Sequence, residues 1–238
     1  MDPIAAARAV VARRFPDALA AVLGGSARTK HRTALSDLDI VVVLGGAPAP
    51  FRETTEHEGW VVELFCHTTE SLGEFVDRET AARRSPLLHM CGEGVLLVDS
   101  GGAGGRIREE ARARLAAGPP PLTEVDIDDR RYMITDLLDD LAGSPDRDEA
   151  VFIANRLLTA TGEFVLGLRR RWQSHGKWLH RRLREADPRL CADLLLGYRL
   201  LVHAGDRSGF TRVVESVLDQ AGGRLLTGYR RVSRQPGP

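Results

Sequence analysis

Gly118-Pro119-Pro120-Pro121 divides the chain into two halves that read differently. Consecutive prolines lack amide donors and hold an extended backbone, so neither a helix nor a sheet ladder runs through them. Before them, β-branched runs alternate with helical periodicity. Beyond them no strand-like run occurs. The expectation is an α+β chain: a strand-bearing domain over residues 1–118, a linker over 119–121, an all-helical bundle over 122–234 and a frayed tail over 235–238.

Composition narrows the class. Of 238 residues, 33 are basic and 33 acidic, and 43% are hydrophobic, which is enough to bury a core without staples. Zero net charge excludes a protein whose whole surface grips nucleic acid or anionic lipid, and a local basic stripe stays open. Cys66, Cys91 and Cys191 are widely spaced, form no C-x-x-C pair and fit reduced thiols. The Ala- and Arg-rich segment from Met1 to Arg14 reads as a helix and holds no apolar run long enough for a secretory signal or a membrane span. A cytoplasmic protein is expected.

Helical spacing runs from Pro3 to about Leu19, followed by a short strand at Ala20 to Leu23 and a glycine turn at Gly24-Gly25-Ser26. A helix-like stretch over Ala27 to Thr33 precedes a buried strand, Asp37 to Leu44. Further strands are expected at Trp60 to Cys66 and Gly94 to Val98, with a helix capped by Thr69 between them and a charged helix over Arg106 to Ala117. The second half divides into amphipathic helices at Ile127 to Leu141, Glu149 to Arg171, Lys177 to Arg184, Pro188 to Val202 and Thr211 to Gln220.

The chemistry concentrates where the glycine turn meets the second strand. Strand alternation puts Asp37 and Asp39 on one face, about 6.5–7 Å apart along the backbone, so their carboxylates can converge. Two such acids repel each other, and hard divalent cations with oxygen ligands relieve that repulsion. Gly24 and Gly25 allow a tight turn close to a ligand, and Ser26 offers a hydroxyl at the start of the following segment. A glycine turn alone is usually only a turn, and D-x-D alone is usually a solvated strand end. Together, with a strand on either side, they describe a metal and triphosphate site.

This pattern, G-[GS] then D-x-[DE] after a short spacer, resembles the signature of the nucleotidyltransferase superfamily that includes DNA polymerase beta and the streptomycin/spectinomycin and kanamycin nucleotidyltransferases. The resemblance covers the first 118 residues with a specific motif and the remainder only by architecture. It implies a small mixed sheet flanked by helices. It also implies that Gly25 and Ser26, with Gly24, bind the nucleotide phosphates and that Asp37 and Asp39 bind metal. Such proteins carry a third acid on a neighbouring strand. Glu63 in Val61-Val62-Glu63-Leu64-Phe65 matches, with Glu53 and Asp99 as weaker substitutes; a solvent-facing strand residue is the bland reading of Glu63. The resemblance further implies two Mg²⁺ ions, a nucleoside triphosphate (ATP foremost) as co-substrate, and Glu63 helping to deprotonate the acceptor hydroxyl.

Around the loop, Arg28, Lys30 and Arg32 are either phosphate contacts or a solvated helix face. In the bundle, Gly167 to Arg184 carries Arg169, Arg170, Arg171, Lys177, Arg181, Arg182 and Arg184 with no acid, interleaved by Trp172 and Trp178. Most of these arginines read as a solvated face; Lys177, after a glycine break, is the candidate phosphate contact. Trp178 reads as core or as a base-stacking ring. Asp136, Asp139, Asp140 and Glu163 could bind a polyamine substrate, and His67 reads as a strand-end histidine. No H-x-x-x-H zinc pattern, serine-hydrolase elbow or Walker loop occurs.

The expected function is Mg-dependent transfer of a nucleoside monophosphate, AMP from ATP foremost, to a hydroxyl of a small-molecule acceptor such as an aminoglycoside, with release of pyrophosphate. The alternatives are a protein AMP-transferase of antitoxin type and a non-catalytic nucleotide-binding protein that keeps the fold. Neither a membrane nor nucleic acid is an expected partner.

Overall fold

The computed structural model describes residues 2–27, 29 and 31–232. The chain divides into two compact units, Met1–Pro119 and Pro120–Pro238. It is α+β: a five-stranded mixed sheet with flanking helices lies in the first unit, and the described elements of the second are all helical.

Helix α1 (Pro3–Arg14) starts where the Asp2 carboxylate accepts from the Ala5 amide at 2.9 Å and Pro3 supplies a preset φ. Strands β1 (Ala20–Leu23), β2 (Leu38–Leu44), β3 (Phe51–His57), β4 (Trp60–Thr68) and β5 (Val95–Asp99) order as β3-β4-β2-β1-β5. Only β2 and β4 run parallel, and their register places Asp39 beside Glu63. Leu38, Ile40 and Val42 of β2, with Val62, Leu64 and Cys66 of β4, point into a core shared with Ala6, Ala7, Val10 and Val11 of α1. Strand alternation then turns Asp39 and Glu63 to the opposite face of the sheet.

Two elements of this unit escape sequence reading. Strand β3 has no apolar alternation, because it is an edge strand whose residues are half-buried or exposed. Its signature is the turn: His57 pairs with Trp60 across Glu58 and Gly59, whose φ values are 48° and 80°. Positive φ at both central residues is the two-residue hairpin turn whose twist suits the flanking strands. Helix α3 (Pro86–Glu93) opens with a Ser85 cap and Pro86 in its first turn, yet is too short for periodicity to reveal. It follows α2 (Thr69–Ala81), whose capping box pairs Thr68, rather than Thr69, with Ser71. Among the described residues from Ala27 to Thr33, where a helix is expected, none is helical; they form turns, bends and irregular backbone. Strand β2 begins at Leu38, so Asp37 sits just ahead of it. Helix α4 (Ala103–Ala117) closes the unit.

In the second unit, α5 (Glu124–Gly143), α6 (Arg147–Leu168), α7 (Gly176–Ala186), α8 (Pro188–Ala204) and α9 (Ser208–Asp219) enclose a core centred on Leu157, Phe164, Leu194 and Phe210. By length and composition α6 alone among the described helices could span a bilayer, but half of that stretch is buried, with Ala154 and Leu157 in the core. The tail at 235–238 lies outside the described residues.

The three cysteines are free and buried, and burial pushes the Cys66 thiol up to about 11 and Cys91 to about 12, so neither is a poised nucleophile. A half-buried acid links α2 to α3. The Glu79 carboxylate accepts from the Ser85 hydroxyl at 2.8 Å and from the Leu87 amide at 3.1 Å. Desolvation raises its pKa above the ordinary 4.5, opposed by those two hydrogen bonds and by the charges of Arg84 and His89.

A raised carboxyl pKa means that the folded state holds its proton to higher pH than the unfolded state does. The contribution of Glu79 to stability is therefore greatest below pH 4.5 and declines as pH rises through the folded pKa. Glu79→Gln keeps an acceptor oxygen for Ser85 and Leu87 without the half-buried charge. Urea unfolding should find this variant more stable than wild type at pH 7, with the gain vanishing near pH 4; a loss at pH 7 would show that the charge strengthens the two bonds by more than its desolvation costs.

Candidate metal centre

Asp37, Asp39 and Glu63 each place an oxygen within 4.8 Å of the others, and all three are half-buried. The backbone explains the convergence. Asp39 and Glu63 are neighbours across the parallel β2/β4 pair, and Asp37 precedes Asp39 by two residues on the same side. At such separations each pair of carboxylates repels by about 1–3 kcal/mol, taking an effective dielectric between that of water and that of a protein surface. Hard oxygen donors packed this closely suit a divalent cation such as Mg²⁺.

The glycine turn belongs to the same construction. The Gly24 amide donates to the Asp39 carbonyl at 2.8 Å, continuing the β1/β2 ladder past Leu23 and Ile40. Gly25 has φ +65°, and a Cβ built there would fall 1.8 Å from Asp39 Oδ2. The absence of a side chain at Gly25 is thus what lets Asp39 lie against the loop. Gly24 is confined from the other side, where a Cβ would meet Met90 Cγ at 2.5 Å and Met90 Cβ at 2.9 Å. Helix α3 thereby braces the turn.

Ser26 is buried, and its Oγ lies 3.2 Å from Ser36 Oγ, which also accepts from the Thr33 amide at 2.9 Å. The Thr29 amide and hydroxyl both donate to the Ser26 carbonyl at 3.0 Å. These bonds draw the two ends of the loop together just before Asp37. Arg28 and Lys30 lie outside the described residues. Arg32, one of the candidate phosphate contacts, instead stacks over the Trp60 ring at 4.9 Å.

Glu63 has a partner that sequence reading did not supply. Arg52 Nη2 lies 2.8 Å from Glu63 Oε2, and the same guanidinium sits 4.8 Å above the Phe65 ring. The substitutes for the third acid are used elsewhere. Glu53 pairs with Arg14 at 2.7 Å, which holds its carboxyl below the usual range, and Asp99 accepts from the Gly104 amide at 2.9 Å at the start of α4. His67 is buried against Phe75 and near Ser71, and burial lowers its pKa, as befits a packed strand-end histidine.

Lys177 lies in the second unit, exposed in the first turn of α7. Several of its basic neighbours have structural partners: Arg169 bonds Asp187 and the Ala186 carbonyl, Arg181 stacks on Trp178, and Arg182 pairs with Glu185. Trp172 is buried. Among the acids offered to a polyamine, Asp139 pairs with Arg224 at 2.6 Å and Glu163 with His175 at 3.4 Å, whereas Asp136 and Asp140 are exposed on α5.

Arg52 and Met90 are the contributors that sequence reasoning missed. The His57-Glu58-Gly59-Trp60 turn and the Ser85-Pro86 cap are the local signals that would have placed their elements.

No protein-family model matches the sequence, and no curated protein matches it. Among solved structures the chain is similar to the 1.90 Å crystal structure of a nucleotidyltransferase-like protein from Exiguobacterium sibiricum 255-15. Identity is 11%, the match covers 91% of this chain and 74% of that one, and the TM-score is 0.48.

Gly25→Ala tests the join between loop and carboxylate. An alanine there meets both an unfavourable φ and the Asp39 oxygen, so Asp39 must move. The expected outcome is a loss of about 1–3 kcal/mol in urea unfolding, together with at least tenfold weaker Mn²⁺ binding by electron paramagnetic resonance. Unchanged Mn²⁺ affinity in a folded variant would show that Asp39 does not ligate from its present position.

Proposed function

We propose that this chain is a metal-dependent nucleotidyltransferase that moves a nucleoside monophosphate, AMP from ATP foremost, to a hydroxyl of a small-molecule acceptor. The supporting observation is the convergence of Asp37, Asp39 and Glu63 within 4.8 Å, two of them register partners on parallel strands and one of those seated against the glycine turn. A lone acidic cluster has many explanations. An acidic cluster packed into the space a side chain on the glycine loop would fill suits holding a cation and an anionic ligand side by side.

In this reading Asp37, Asp39 and Glu63 hold the divalent ions, two in number as the resemblance implies. Bound there, the ions would neutralise phosphate charge and lower the pKa of the acceptor hydroxyl. Gly24 and Gly25 let the turn pack between Met90 and the Asp39 carboxylate, which sets the loop beside the acids, and Ser26 keeps the loop closed through Ser36. In the transfer, the acceptor oxygen bonds to the α-phosphorus, the bond from that phosphorus to the bridging oxygen of the β-phosphate breaks, pyrophosphate departs and the hydroxyl proton passes to solvent. Positioning and charge stabilisation carry such a reaction, since the chain need supply no covalent intermediate.

An aminoglycoside acceptor is the finer form of this proposal, with exposed Asp136 and Asp140 of α5 as carboxylates for a polycation. Lys177 is kept as a candidate phosphate contact, and a cytoplasmic setting with no membrane partner accompanies the reading. A protein acceptor is the rival within the same chemistry.

The direct test follows pyrophosphate release with Mg²⁺, each nucleoside triphosphate and pooled acceptors, in wild type and in Asp37→Ala. The expected outcome is acceptor-dependent release, greatest with ATP, that falls at least a thousandfold in the variant, because removing a metal-binding carboxylate withdraws charge stabilisation worth about 4 kcal/mol. Equal release in both proteins would sink the proposal.

A further inference from the structure

Arg52 lies on an edge strand and Glu63 on its neighbour, but the two are not opposite each other. The β3/β4 register sets Arg52 against Phe65 and Thr54 against Glu63. The arginine therefore crosses its own partner, lying over the Phe65 ring at 4.8 Å, to reach Glu63 Oε2 diagonally at 2.8 Å. The Arg52 side chain is 62% exposed, whereas that of Glu63 is 24% exposed. An exposed ion pair of this kind contributes little to folding, because solvent screens it and holding two long side chains costs entropy. Its value lies in where it puts the carboxylate.

Glutamate is the longest of the three acids and the one with most rotamers, and it stands alone on β4, whereas Asp37 and Asp39 lie two residues apart at the start of β2. A charge flanked by Val62 and Leu64 on β4 could also turn along the open sheet face, past half-exposed Val61 and toward solvent. The guanidinium removes that freedom in two ways. Its planar fork engages one Glu63 oxygen, and the aromatic ring beneath fixes the plane of the fork.

We propose that Arg52 is a positioning residue, which, stacked on Phe65, holds Glu63 facing Asp37 and Asp39 so that the third acid is in place before a divalent ion arrives. This rests on the metal-site reading above. Arg52 acts through Glu63 and needs no contact with substrate. Lysine at this position would preserve the charge but neither the fork nor the stacking, so the proposal separates geometry from electrostatics.

The experiment measures Mn²⁺ affinity by electron paramagnetic resonance on the full chain, without nucleotide, in wild type, Arg52→Lys and Phe65→Leu, each with Glu63 intact and with Glu63→Gln. Thermal unfolding confirms that each variant is folded, and Asp37→Ala shows which Mn²⁺ is bound at the triad. With Glu63 intact, Arg52→Lys and Phe65→Leu should each weaken binding about threefold to tenfold, the change expected when one rotamer-rich side chain is no longer held in place. In the Glu63→Gln background neither substitution should weaken it further. Unchanged or tighter binding in Arg52→Lys with Glu63 intact overturns the proposal. So does an equal loss in both backgrounds, because that loss does not pass through Glu63. If wild type binds no Mn²⁺ that depends on Asp37, the metal-site reading itself fails and the role of Arg52 falls with it.

Discussion

The contact between the Gly25 backbone and the Asp39 carboxylate is the constraint from which the rest of the first unit follows. A Cβ at Gly25 would stand 1.8 Å from Asp39 Oδ2, so loop and strand occupy adjoining space only because that atom is missing. The chain leaves β1, makes its excursion and returns to the same place, tied by the Gly24 amide to the Asp39 carbonyl and by Ser26 to Ser36. Neither tie is strong alone, since each hydrogen bond adds about 1 kcal/mol net. Their combined effect is to fix where β2 starts beside β1, and the separate parallel ladder of β2 with β4 sets Asp39 beside Glu63. Support runs outward through Gly24 to Met90 on α3 and from the Ser85 cap of that helix to Glu79 on α2. The half-buried Glu79 carboxylate, on a different element from the acidic triad, thus sits at the end of the chain of packing that shapes the glycine turn.

Much of this architecture is legible in the sequence where one side chain type dominates a period. The β-branched run in β2, the apolar alternation in β4 and the amphipathic bundle helices all announce themselves, because their burial is large and one-sided. The acids and glycines of the loop are also readable, since their spacing carries the chemistry. Illegible elements are those specified by partners remote in sequence. Strand β3 is written as Arg52-Glu53-Thr54-Thr55-Glu56, which has no apolar face, and exists through its ladder to β4 and through pairs such as Arg14 with Glu53. The stretch after Ser26 shows the converse error: its spacing fits a helix, but the bonds from Thr29 to Ser26 and from Ser36 to Thr33 turn it back on itself.

The basic run in the second unit shows why local charge counts mislead. Between Gly167 and Arg184 the sequence contains no acid, and its arginines read mostly as a solvated face with Lys177 as the candidate phosphate contact. The fold supplies counter-charges from just beyond that window, Glu185 to Arg182 and Asp187 to Arg169, and an aromatic ring, Trp178, to Arg181. Asp187 shows how one residue serves several roles. It accepts from the Leu190 amide as the cap of α8 and pairs with Arg169, and both interactions hold its carboxyl below its ordinary range.

Arginine dominates the basic residues, only Lys30 and Lys177 being lysines. At the β3/β4 hairpin the choice has structural consequences. Arg32 stacks on Trp60, which packs against the α1-side core, and Arg52 stacks on Phe65 on the other side of the sheet. One stack ties the loop after Ser26 to the turn end of the hairpin, and the other ties the edge strand to the third acid. Ammonium groups would supply the same charge but no plane to lay on a ring, leaving both the loop and Glu63 less defined. The hairpin, one strand of which lacks an apolar signature, therefore joins the two parts of the site that sequence spacing alone leaves unconnected: the loop that shapes the turn and the carboxylate that completes the triad.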